Sequence, residues 1–433
     1  MASEPLATAT HLTGHRGEVH CLHAPGDDRL FSGGEDGSVR LWDLSAGRAA
    51  RALLLPSADS AGAVNAVCAG GGAAAMNWVY AAAATHVYGW DLRVPGVVLR
   101  EPACAFNNLA NDEIGHIALH EASGALAVAD DAGDVHIVDV GSMAAAPGTT
   151  SGAIVPLRGG HTSICTWVAF RPGCNECCSA GLDALCVRWD WRIAAKVEAW
   201  PLAALGSPFA VALADALPGS SQSSGGAGSS SEAAAQPSQP SQLLNPRHAH
   251  CASYAPDGGC VALALGDGSV EIRLADGGEP ICAVDAHRAA CSQAHFAAAL
   301  GPVLAQRAVA DAAVDDCSSA AALAARGIPL ISAGDDRTVR LWSVEGVAGR
   351  ASSNRDGKRR RHAANAGSAT ACDDAMEEEE EEESCDEPGF RSLAAVRLRY
   401  KPNAVAAAAD PSGSGRAVVC VATTGEAIEL LNL

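Results

Sequence analysis

The sequence predicts an all-β fold in which seven four-stranded units close into a ring, a seven-bladed β-propeller sealed by its N-terminal strand and interrupted by disordered insertions. Three observations carry this. The first is a recurring set of side chains: His15, Ser32, Asp36 and Trp42, then His161, Ser179, Asp183 and Trp189, then His287, Ser332, Asp336 and Trp342. In each set Asp follows Ser by four residues and Trp follows Asp by six, while the His lies 17 or 18 residues before the Ser in the first two sets and 45 in the third. The second is strand–turn–strand patterning, as in GEDGSVRLWD (34–43), LGDGSVEIRL (265–274) and AGDDRTVRLW (333–342), where a turn dipeptide separates a small-residue strand from an alternating one. The third is the small run before each turn (FSGG, CSAG, ISAG), which suits close approach of neighbouring backbones. One Ser/His/Asp set would suggest catalysis; three on a repeating unit indicate architecture.

These residues resemble the WD-repeat family of β-propellers, whose units carry Gly-His near the start and Trp-Asp at the end. Gly14-His15 and Gly160-His161 match the first element, and Trp42-Asp43, Trp90-Asp91 and Trp189-Asp190 the second. The resemblance implies that His, Ser, Asp and Trp hydrogen-bond in series within one blade, each bond contributing about 0.5–1.5 kcal/mol. On that reading the three quartets are structural and no catalytic residue is assigned.

Seven units follow in order. The first runs from His15 to Asp43. The second covers about 62–93 and ends HVYGWDLR, with Ala84 where the turn Asp belongs. The third is 111–140, with Val138 at the Trp position, and the fourth is 159–192. The fifth is 245–274, with Asp267 in the turn and Arg273 in place of Trp. The sixth runs from His287 to near Val344, swollen by an Ala-rich stretch at 297–327 that reads as possible helix, and the seventh is 397–433. At about 40–45 residues per blade, seven blades need about 300 residues, so the surplus lies in insertions. A ring must close or expose pairing edges. ATATHLTG (7–14) is expected to dock beside 426–433. The chain thus divides into blades 1–4 (1–205), a Ser/Gly/Pro/Gln linker (206–242), blades 5–6 (243–344), a charged insertion (345–389) and blade 7 (390–433).

The linker cannot bury enough apolar surface to order. The charged insertion holds Lys358-Arg359-Arg360-Arg361 and seven glutamates, Glu377 to Glu383. The basic cluster reads equally as a nuclear import signal or a solvated charge run. With 30 Lys and Arg against 50 Asp and Glu, a net charge of −20, a nucleic-acid-binding surface is not expected. No apolar run approaches about 18 residues, so no membrane helix is expected. MASEPLATAT lacks the pattern of a secretory leader. The 16 cysteines then read as reduced, buried small side chains, and the protein as intracellular, nuclear or cytoplasmic or both. Cys174-Asn175-Glu176-Cys177-Cys178 has C-x-x-C spacing, but a zinc site needs a second pair. GGGAAA (70–75) lacks the Gly-Lys-Ser/Thr ending of a phosphate loop. No metal or cofactor is expected.

Two units end in W-D-x-R: Trp90-Asp91-Leu92-Arg93 and Trp189-Asp190-Trp191-Arg192. This ending resembles the box with which WD-repeat proteins dock on the adaptor subunit of cullin-RING ubiquitin ligases, the large subunit of damage-specific DNA-binding protein. Arg93 and Arg192 would then project from blade faces as directional anchors, and the two boxes are expected to be adjacent in the ring. The segments 111–140, 159–173 and 242–259, the last containing Leu244-Asn245-Pro246 and Ala249-His250, also resemble a small divergent WD-repeat subfamily. That resemblance implies a non-enzymatic scaffold, a substrate receptor that holds the ligase adaptor and its target together. The alternatives are a general scaffold in another assembly, such as chromatin or ribosome assembly, and an enzyme, against which stands the blade-by-blade recurrence of the polar sets.

Overall fold

The computed structural model describes residues 7–25, 29–56, 62–70, 77–141, 154–202, 246–301, 327–347, 389–409 and 417–432. These form seven sheets arranged as a ring, each built on four antiparallel strands, the seven-bladed propeller expected. From axis to rim, blade 1 comprises Val19–His23, Arg29–Gly34, Ser38–Asp43 and Arg48–Leu54, and blade 2 comprises Ala66–Ala69, Trp78–Ala83, His86–Asp91 and Cys104–Phe106. Blade 3 is Ile114–His120, Ala125–Asp130, Val135–Asp139 and Ile154–Leu157; blade 4 is Cys165–Phe170, Glu176–Gly181, Leu185–Asp190 and Ala195–Pro201. Blade 5 is Ala249–Tyr254, Cys260–Leu265, Ser269–Leu274 and Pro280–Asp285; blade 6 is Cys291–Phe296, Gly327–Gly334, Thr338–Glu345 and Gly389–Arg397. Blade 7 takes Pro402–Ala409, Ala417–Thr423 and Ala427–Asn432 from the C-terminal end of the chain and Ala7–Thr13 from the N-terminal end. The inner strands touch their neighbours all the way round, blade 7 meeting blade 1.

Closure occurs by the expected route. Thr10 lies opposite Leu430, Leu12 opposite Ile428 and Thr13 opposite Ala427, so the edge of the last C-terminal strand is paired rather than left as a template for another chain.

The apolar residues gather into seven cores, and each lies between two neighbouring blades rather than within one. The cause is the two-residue period of a strand, which sends successive side chains to opposite faces. Leu30 enters the core shared with blade 7, while Phe31 enters the one shared with blade 2. Cys177 and Cys178 likewise separate, toward blade 3 and blade 5 respectively. Each blade therefore needs both neighbours to cover its faces, which is why the units form a closed array.

The structure corrects one boundary. Gly389–Arg397 pairs with Thr338–Glu345, Trp342 lying opposite Ser392, so the segment counted from 390 with blade 7 is the outer strand of blade 6. The charged insertion interrupts that blade between its third and fourth strands, and sequence distance obscured the pairing. The stretch at 297–327 begins with a short 3₁₀ turn, Ala298–Leu300; the rest of that proposed helix, the 206–242 linker, the Lys358–Arg361 cluster and the Glu377–Glu383 run lie outside the described residues. Among the described residues no helix is long and apolar enough to cross a membrane.

Blade 1 gains a fifth strand. After the Trp90-Asp91 end of blade 2 the chain turns back, and Val98–Leu99 pairs in parallel with the outer strand of blade 1, Ala52 lying opposite Val98. Arg51 donates to the carbonyls of Leu92 (2.7 Å) and Val94 (3.1 Å) and pins the return.

Candidate protein-interaction site

In blades 1, 4 and 6 the quartets form one repeated chain of hydrogen bonds. The Trp42 indole N–H donates to Ser32 Oγ at 2.7 Å, Ser32 Oγ lies 2.7 Å from His15 Nε2, and His15 Nδ1 lies 3.0 Å from Asp36. The corresponding distances are 2.9, 2.8 and 3.0 Å through Trp189, Ser179, His161 and Asp183. They are 2.9, 2.9 and 3.1 Å through Trp342, Ser332, His287 and Asp336. A carboxylate only accepts, which puts the imidazole proton on Nδ1 and leaves Nε2 to accept from the serine hydroxyl. Burial opposes ionisation of Asp36, but the bonds from His15 and Ser38 and the backbone N–H of Arg16 outweigh it and hold the carboxyl well below its ordinary range. Asp183 and Asp336 are lowered by the same opposition of burial and donated bonds.

The glycine of Gly-His has a steric origin. A Cβ on Gly160 would run into the Trp189 indole, and one on Gly181 would stand 2.5 Å from His161 Nδ1. The three serines are completely buried, so none of their hydroxyls can meet a substrate, and the quartets tie each blade's turn to its strands.

The same slot is filled otherwise where the quartet is missing. In blade 2, Ala81 occupies the register position of the serine, and the buried Trp90 indole N–H has no hydrogen-bond partner. In blade 5, Leu263 replaces the serine and Arg273 the tryptophan, and an ion chain takes over. Arg247 reaches Asp267 (2.9 Å) and Glu271 (2.6 Å), and Glu271 in turn meets Arg273 at 2.6 Å. Alternating charges leave that buried chain neutral, the condition for burying ions at tolerable cost. The sequence flagged Asp267 and Arg273 but not Arg247 or Glu271; a charged residue two positions before the substituted Trp was the available signal.

Aromatic side chains of the inner strands of three blades meet on the axial side of the ring. Trp167 of blade 4 stacks on His116 of blade 3 with ring centroids 3.5 Å apart and lies 5.3 Å from His295 of blade 6. Blades 3 and 6 are not neighbours, so the indole joins side chains of blades that do not otherwise meet. Burial, followed by the neighbouring histidines, pushes His116 down to about 3; burial and His23 push His295 down to about 4. Both rings are neutral at pH 7. None of these residues belongs to the repeat motif, and the sequence reading missed them.

The two W-D-x-R ends differ in detail. Trp90 and Trp189 are buried, each 1 % exposed, whereas both arginines reach solvent. Arg93, its side chain 60 % exposed, folds its guanidinium onto Asp91, with Nε–Oδ1 2.9 Å and Nη2–Oδ2 2.7 Å. Arg192 donates from Nε to Asn175 Oδ1 at 2.8 Å and lies 5.0 Å from the Trp191 ring centre. Exposed apolar side chains accompany both: Val94, Val97 (69 %) and Val98 beside Arg93, and Ile193 (72 %) beside Arg192. Such side chains around a directional cation are the usual ingredients of a protein interface. The expected adjacency is corrected: blade 3 stands between the two ends, its inner strand touching those of blades 2 and 4.

A propeller with buried polar quartets and apolar groups on its outer surface suits a protein-interaction scaffold. The family comparison supports the repeat itself: the WD domain, G-beta repeat, model matches residues 4–43, a span that takes in the closing strand and the first three strands of blade 1.

Proposed function

We propose that the protein is a non-enzymatic, intracellular scaffold, nuclear or cytoplasmic or both, that serves as a substrate receptor on the adaptor of a cullin-RING ubiquitin ligase. The carrying observation is the pair of W-D-x-R ends whose arginines stand in solvent next to exposed valines and isoleucine. Arg93 and Arg192 supply the directional contacts to the adaptor. Arg93 would exchange part of its fork from Asp91 to a partner carboxylate or carbonyl, a low-cost step for an exposed ion pair. Likeness of residues 111–140, 159–173 and 242–259 to WD repeat-containing protein 53 supports the same reading. With one face on the adaptor and another on a target, the scaffold raises the effective concentration of target at the ligase.

The test is affinity purification of the tagged full chain with mass spectrometry, beside the Arg93→Ala/Arg192→Ala double variant. The reading expects the adaptor among the partners of the first and its loss from the second, with unchanged far-UV circular dichroism. An adaptor absent from the wild-type partners, or recovered equally with the variant, refutes it; chromatin or ribosome-assembly partners in its place would establish the general-scaffold alternative.

A further inference from the structure

Blade 3 lacks the quartet entirely, and what replaces it points to an ion. Ile114 lies opposite Asp130 as Val19 lies opposite Gly34, and Leu126 opposite Val138 as Leu30 opposite Trp42. In that register Ala110 stands for His15, Val128 for Ser32 and Val138 for Trp42. Removing the imidazole opens the space against which Gly34 has no room for a Cβ, since one would stand 2.8 Å from His15 Nδ1. Asp130 occupies the glycine's position.

Asp130 is completely buried and accepts the backbone N–H of Asp134 at 2.8 Å and of Asn111 at 3.3 Å. Asp130, Asp134 and His136 each bring one ligand atom to within 4.8 Å of the other two.

A second observation is independent of the carboxylates. His136, 8 % exposed, has a buried Nε2 with no hydrogen-bond partner. It stands 3.5 Å from Asp130 Oδ2, at ion-pair distance but without hydrogen-bond geometry. A buried ring nitrogen left unbonded costs about 1–3 kcal/mol. The surrounding charge has one sign. Among the described residues no Lys or Arg forms an ion pair with Asp112, Glu113, Asp130, Asp131 or Asp134.

We propose that Asp130, Asp134 and His136 bind a divalent transition-metal ion. Two carboxylate oxygens and one imidazole nitrogen, without a thiolate, suit Mn²⁺ or Zn²⁺ rather than a soft monovalent ion. The partly exposed Asp134 leaves water to complete the coordination. The ion supplies the missing partner of His136 and offsets the acidic field. It ties the turn after Asp130 to the following strand, as the quartet does in blades 1, 4 and 6.

The test uses Mn²⁺ with the purified full chain, following loss of the free-ion electron paramagnetic resonance signal. Mn²⁺ is the chosen probe because it avoids the cysteines that would capture Zn²⁺. One saturable site is expected, weakened more than about tenfold in Asp134→Asn and in His136→Gln, since each removes one of three ligands. The glutamate run adds the same unsaturated background to all three proteins. Mn²⁺ should also raise the melting temperature of the wild type and not of Asp134→Asn. A wild-type chain with no saturable site, or variants that bind as tightly as wild type, overturns the assignment.

Discussion

Ser179→Ala tests the reading of the quartets as structure. Ser179 Oγ takes a bond from Trp189 Nε1 at 2.9 Å and lies 2.8 Å from His161 Nε2, and serine, indole and imidazole are 0 %, 1 % and 9 % exposed. Alanine keeps the volume within one oxygen but strands a buried N–H and a buried ring nitrogen together. At about 1–3 kcal/mol for each stranded group, the expected cost is about 2–6 kcal/mol. Blade 2, whose Trp90 N–H is already orphaned, shows that one stranded donor is compatible with a closed ring. The measurement is a double-mutant cycle by urea unfolding with Trp189→Phe, which removes the indole donor. The double variant should lose about 1 kcal/mol less than the sum of the single losses, since the two residues share a bond. A Ser179→Ala cost under about 0.5 kcal/mol, or strictly additive variants, would refute the argument that these polar sets hold the blades.

Two further outcomes follow from the same geometry. Acid should weaken the fold before the carboxylates titrate: His295 is pushed from 6.5 to about 4 by burial, so the unfolded chain binds more protons between those values and stability falls as pH drops through that window. The stabilisation is complete above pH 6.5 and amounts to on the order of 3 kcal/mol at about 1.4 kcal/mol per pKa unit. His295→Gln should reduce the dependence of the unfolding midpoint between pH 7 and pH 5, the remainder coming from His116, which burial lowers over the same window; an unchanged slope would contradict the burial argument. Deleting residues 1–13 removes the strand paired with Ala427–Asn432, exposing both that edge and the core around Leu12. The truncated chain should melt well below the full chain and self-associate in sedimentation velocity, whereas equal melting and a monomeric boundary would count against closure by the N-terminal strand.

The quartets were legible because they obey fixed spacing within one hairpin: Ser, Asp and Trp lie on two adjacent strands and their turn, where sequence distance and spatial distance coincide. The closing strand was legible for a related reason, since an array of alternating strands with an unpaired last edge needs a partner. Legibility failed wherever a connection grew long. Gly389–Arg397 was assigned to the wrong blade because the charged insertion separates it from the strand it pairs with. The ion chain of blade 5 was half visible, in Asp267 and Arg273; Glu271, two positions before Arg273, was a local signal that went unused, and Arg247 joins from the connection that precedes the inner strand. The two W-D-x-R ends were visible as words, but the adjacency expected of them fails because blade 3 stands between them.

By itself, the sequence determined the repeating unit, its approximate number and the polar residues that fasten three of the blades, because strand periodicity and hairpin spacing are local. Only the tertiary structure decided what the blades do to one another. Trp167 meets His116 and His295 on the axial side of the ring, each apolar core is shared between two sheets, and Asp130 moves into a space that an absent histidine leaves open. Those contacts join residues from different blades or different registers, so their energies depend on ring closure, and no local pattern along the chain encodes them.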